Sequence, residues 1–170
     1  SHPGLVNTML ARAVIDHRSG RLASARNHYL DVLEHRPSDE RAQRGLVAIY
    51  LATKRFDEAR PILESLHAEH PNDFAIRTSL GMTLLRARRH EEAVTVLEPA
   101  WPDRQQDPTY LLLFGRALTQ SGQVNRGLKI LERAASVHPD RAIALNAASA
   151  AALLGGNAQA ALDMATAALE

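Results

Sequence analysis

The sequence predicts an all-α fold made of tandem helix–turn–helix units, and three observations carry that prediction. Pro37 and Pro71 stand 34 residues apart, and Pro139 follows two such periods later. Between them, small residues recur at fixed places in the period: Ala25, Ala59, Ala93, Gly127 and Ala161. Small side chains are needed where two helices cross closely. The composition is 45% hydrophobic but only 4% aromatic, so Ala and Leu must fill the core. It is also rich in Arg and Glu, further good helix formers, while Val and Ile are scattered rather than alternating as strands require.

Counting back from each proline starts the units at Val6, Glu40, Phe74, Pro108 and Ala142. The eighth residue of each is compact: Ala13, Val47, Gly81, Gly115 and Ser149. The eleventh is apolar in four units, with Asp16 the exception in the first. The twenty-fourth is Tyr29, Leu63, Leu97, Leu131 and Ala165. The first helix of each unit is expected over residues 6–18, 40–52, 74–87, 109–120 and 142–154. The second is expected over 22–35, 56–70, 91–100, 124–137 and 158–169. Ser19-Gly20, Thr53-Lys54-Arg55, Ser121-Gly122 and Gly155-Gly156-Asn157 are the breaks between them. Pro61 removes one donor early in its helix and is tolerated there. Pro99 and Pro102 shorten the third unit's second helix and leave residues 101–107 as a loop, with Trp101, the one Trp of the sequence, filling the gap; the alternative is that Trp101 anchors a partner.

This pattern resembles the tetratricopeptide repeat family, whose marks are small residues at positions eight and twenty, a bulky one at twenty-four and proline at thirty-two. The resemblance spans essentially the whole sequence in five units. Two departures stand out: the frequent aromatic at position four is replaced by Met9, Gln43, Arg77, Leu111 and Leu145, and Gln105 holds the third unit's proline position. The family resemblance implies a right-handed α–α superhelical solenoid of five repeats, one domain over residues 6–170. Residues 1–5 are a lead-in in which Ser1-His2 resembles a tag remnant, and the whole is expected to be a piece of a longer protein.

Little in the sequence can react. There is no cysteine, which removes thiolate metal sites and cysteine nucleophiles. No phosphate-cradling glycine loop, nucleophile elbow or metalloprotease His pair is present. His67 and His70 lie three apart on one helix, a spacing that two metal-bound imidazoles can share. His35 and His138 hold similar helix-end places, so His at a repeat's end reads as complementing the last carbonyls. Asp57-Glu58 and Glu91-Glu92 open their helices, where the dipole favours negative charge. The expectation is a non-enzyme with no cofactor and no metal. A net charge of +1 points to neither nucleic acid nor membrane insertion.

In the resembled family the first helix of each unit lines a concave groove through its second, fifth, ninth, twelfth and thirteenth positions. Carried over, that set includes Asn7, His17 and Arg18, then Arg41 and Arg44, then Thr78, Met82 and Arg86, then Thr109, Leu112 and Arg116, then Asn146. No acid occupies the lining positions, and the fifth unit's are mostly apolar. The groove is thus expected to take an extended protein or peptide segment, acidic toward one end and apolar toward the other. The alternative is that these arginines are solvated or paired with neighbouring acids. The Lys and Asn set with which one subclass holds chaperone tails is absent. The apolar stretch 142–170 predicts further sequence beyond it or self-association. The family resemblance implies a protein-binding scaffold of a bacterial envelope assembly, in secretion, pilus formation or polysaccharide export. The alternatives are the recognition region of a larger enzyme such as a transferase, or a self-assembling scaffold.

Overall fold

The computed structural model describes residues 3–137 and 140–169. His138 and Pro139, the third repeat-end His and closing proline of the register, lie outside the described residues, as do Ser1, His2 and Glu170. The chain forms two compact units, one ending at Pro71 and the other starting at Asn72. The described residues contain no strand.

The first unit holds α1 (Pro3–Arg18), α2 (Leu22–His35), α3 (Glu40–Ala52) and α4 (Phe56–Glu69). Helix α3 starts where the Asp39 carboxylate accepts the amide of Ala42 at 3.2 Å. Helix α4 runs unbroken through Pro61. The core is a ladder of buried Val6, Leu10, Ala13, Tyr29, Val32, Leu46, Tyr50, Leu63 and Leu66. Tyr29 reaches from α2 to Gly45 of α3, where any β-carbon would sit 2.3 Å from the tyrosine ring. Asp16, the charged exception in the register, faces the turn instead of the core. It accepts from Arg21 at 2.6 Å and from the Ser24 hydroxyl, and His28 stands 3.6 Å away.

The second unit holds α5 (Phe74–Arg86), α6 (His90–Leu97), a 3-10 segment η1 (Glu98–Asp103), α7 (Pro108–Gln120), α8 (Val124–Val137), α9 (Arg141–Leu154) and α10 (Ala158–Ala167). Two expectations need correcting here. Helix α6 stops at Leu97 rather than residue 100, and residues 98–103 form a 3-10 turn rather than starting a loop at Trp101. Pro99 and Pro102 lack the amide donors an α-helix needs, and the tighter turn uses what remains. Arg77 donates to the Val96 carbonyl at 2.7 Å and Tyr110 to the Leu97 carbonyl at 3.0 Å, so the last turn of α6 is capped by side chains from α5 and α7. Burial holds the Tyr110 phenol well above its ordinary value. Trp101 lies against Phe114 with ring centroids 6.0 Å apart, and Phe114 stacks on Tyr110 at 5.5 Å. The tryptophan thus fills the space beside the shortened helix, as expected.

All five turns within the helix pairs share one device. Gly20, Lys54, Arg88, Gly122 and Gly156 have φ between 59° and 89° and stand 34 residues apart. The next residue donates back to a carbonyl five before it: Arg21 to Asp16, Arg55 to Tyr50, Arg89 to Leu84, Gln123 to Leu118 and Asn157 to Ala152.

Candidate functional site

Helices α5 and α7 occupy the same place in successive repeats, and their matching faces open onto a cavity of about 920 Å³ in the second unit. From α5 come Thr78, Ser79, Met82, Leu85 and Arg86. From α7 come Thr109, Leu112, Leu113, Arg116, Thr119 and Gln120. The turns add Arg88 and Gly122, the first residues of α6 and α8 add His90 and Val124, and α9 adds Leu154. Ten of the groove positions carried over from the sequence meet here: Thr78, Met82, Leu85 and Arg86, then Thr109, Leu112, Arg116, Thr119 and Gln120, and Leu154.

The reason is the caps. The Asp73 carboxylate accepts the amides of Ala75 and Ile76 at 2.9 and 3.1 Å, and that of Asp107 accepts from Tyr110 at 2.9 Å. These bonds start α5 and α7 at equivalent positions, so residues 34 apart share a level. Leu80, Leu84, Leu111 and Leu118 turn to the core, which leaves the fifth, ninth and thirteenth positions facing outward on the helical period.

The chemistry of the lining is cationic and apolar. Arg86, Arg88, Arg116 and His90 contribute to it, and no Asp or Glu is present among the described lining residues. Neither Arg88 nor Arg116 has an ion-pair partner among the described residues. The threonine hydroxyls turn inward: Thr78 donates to Phe74 at 2.9 Å and Thr119 to Gly115 at 2.9 Å. The Nδ1 atom of His90 is buried with no hydrogen-bond partner among the described residues. Met82, Leu85, Leu112, Leu113, Val124 and Leu154 supply the apolar surface. A smaller concavity of about 280 Å³ shares Arg88, His90 and Gln120 and adds Arg89, Glu91, Glu92 and Ser121.

The remaining predicted positions lie elsewhere. Arg44 donates to Glu40 at 2.7 Å, and Glu40 also stands 3.3 Å from His70. Arg41 is 3.8 Å from Asp39 and largely exposed. The Asn7 amide oxygen accepts from Arg36 at 3.2 Å. His17 meets Tyr29 edge-on at 6.1 Å, and Arg18 is exposed. Asn146 is exposed on α9, outside the cavity lining. His67 lies in the last turn of α4 and His70 follows as its C-cap, 3.3 Å from Glu40, and neither belongs to a cluster fit to hold a metal among the described residues. No helix among the described residues is long and apolar enough to cross a membrane.

Arg88, His90, Leu113 and Val124 were not foreseen from the sequence. The missed signal was the 34-residue recurrence of the left-handed turn position, which fixes Arg88 as equivalent to Gly20 and Gly122.

Comparison with known proteins places this geometry. No curated protein matches the sequence. Among solved structures, the chain is similar to YrrB, described as a TPR protein with an unusual peptide-binding site: TM-score 0.82 at 21% identity, over 95% of this chain and 83% of that one. It is also similar to MamA from Desulfovibrio magneticus RS-1, with a TM-score of 0.84 at 16% identity, over 96% and 93% of the two chains. At these identities the likeness shows the fold, that of tetratricopeptide repeat solenoids. One tetratricopeptide repeat model matches residues 17–78 and 54–113, and a second matches 112–170. Joined across the repeats whose caps and turns are described above, these matches show that the chain belongs to the tetratricopeptide repeat family.

Proposed function

We propose that this protein is a non-catalytic interaction scaffold that holds an acidic segment of a partner protein in the cavity between α5 and α7. The observation that carries the reading is a lining with three arginines and a histidine and no carboxylate among its described residues. Arginine binds carboxylates through paired, charge-assisted hydrogen bonds, and the apolar surface beside it contributes buried area. YrrB, similar in fold, is described with a peptide-binding site, which supports peptide binding by this chain. The arrangement offers no nucleophile paired with a base. The setting we infer is a bacterial envelope assembly, such as secretion or polysaccharide export, on the strength of family membership alone.

The test is capture by a photo-crosslinking residue introduced at Met82, within the cavity. The expected result is one specific adduct, weakened at least tenfold by Arg86→Glu, a loss of about 1.4 kcal/mol or more. Arg44→Glu, whose wild-type side chain already bonds Glu40, leaves it unchanged. Equal loss in both variants, or no adduct, sinks the reading.

A further inference from the structure

The cavity has two unlike sides, and this difference specifies the order of residues in its ligand. Arg86 ends α5, Arg88 occupies the left-handed turn position and His90 opens α6, so two arginines and a histidine gather at the α5–α6 turn. Val124 opens α8 and Leu154 ends α9, so the opposite side is apolar. Leu154 is 67% exposed, an aliphatic surface open to a ligand. Arg116 stands between the two sides on α7.

We propose that the bound segment lies across the helices, with its acidic residues at the α5–α6 turn and a bulky aliphatic residue against Val124 and Leu154. This inference rests on the peptide-binding reading above and adds to it the ligand's order and spacing. Neighbouring packed helices stand roughly 8–10 Å apart. From α5 past α7 to α9 is therefore about 16–20 Å, or about five or six residues of extended chain at about 3.3 Å each. Two features favour an acidic peptide as occupant. Arg88 and Arg116 have no acidic partner among the described residues, and the buried His90 Nδ1 lacks a hydrogen-bond partner there. A carboxylate meets arginines on the turn side, whereas α9 contributes the aliphatic Leu154 among the described lining residues. An aliphatic side chain has the reverse preference.

The sequence contains no cysteine, so Ala87→Cys and Leu153→Cys each carry a single nitroxide beside one side of the cavity. The probes are a synthetic ten-residue peptide with two Asp and two Leu spaced five residues apart, and the same peptide with Lys in place of Asp. The expected result is saturable binding of the Asp peptide alone, weakened tenfold or more by Arg88→Glu. The label at position 87 broadens the aspartate proton signals, and the label at 153 broadens the leucine methyls. Reversed or equal broadening overturns the proposed order while leaving peptide binding intact. Preference for the Lys peptide, or no binding of either, overturns the proposal. In that case the Met82 cross-link decides separately whether the cavity binds a partner at all.

Discussion

Lys54 and Arg88 hold a backbone conformation that glycine holds at the equivalent places 20, 122 and 156. A β-carbon in the left-handed region costs about 1–2 kcal/mol, partly offset by the greater freedom glycine loses on folding. Lys54→Gly is therefore expected to raise stability by about 0.5–1 kcal/mol, read as a higher urea midpoint with an unchanged slope. A lower midpoint would show that Lys54 makes a compensating contact. Arg88 shares the strain but sits in the cavity lining, which gives a reason for a charged side chain where glycine would be easier. This is also where the sequence was hardest to read: Gly20 and Gly122 announce a turn, whereas Lys54 and Arg88 do so only through their register with them.

At the scale of the helix pair, spacing is set by what stands at the crossing. Gly81 and Gly115 face Leu97 and Leu131, sixteen residues on in each unit, where an added β-carbon would come within 2.7 Å of the leucine. At the twentieth position, alanine serves in four pairs, but Gly127 lies against the backbone of α7. A β-carbon there would meet the Gly115 carbonyl and the Thr119 amide at 2.8 Å. Backbone yields less readily than a side chain. Gly127→Ala is expected to lower stability by about 1–3 kcal/mol, although alanine is the better helix former. A thermal melt in which the variant equals or exceeds the wild type would contradict this close approach. The element boundaries were legible to within a residue or two wherever Asp or Gly punctuated them. They failed at α6 because two prolines admit either a loop or a 3-10 turn. The choice depended on Arg77 and Tyr110 arriving from other helices to take the exposed carbonyls.

Over the whole molecule, carboxylates held in ion pairs are expected to shape the acid limb of stability. Hydrogen bonds from Ser24 and Arg21 hold the Asp16 carboxyl below its ordinary value of 3.8. Arg44 does the same for Glu40, and Arg55 for Glu58, both below 4.5. A depressed folded-state value means stability that is present above the unfolded value and lost as pH falls through the folded one. The thermal midpoint is expected to be level from about pH 7 to about pH 5 and to fall below about pH 4. Asp16→Asn should flatten part of that acid limb; an unchanged limb would remove Asp16 from the explanation. The sequence by itself determined the family, the five-unit register and which face of each unit's first helix packs inward, because a strict 34-residue period constrains which residues can pack. Only the tertiary structure decided which arginines line one cavity. Arg44 and Arg86 occupy groove positions of equal standing in the sequence. Arg44 lies beside Glu40 in the first unit, whereas Arg86 lines a cavity with Arg88 and Arg116 in the second. Charge pairing depends on distances of a few ångströms, and those are set by how the helices stack, not by periodicity.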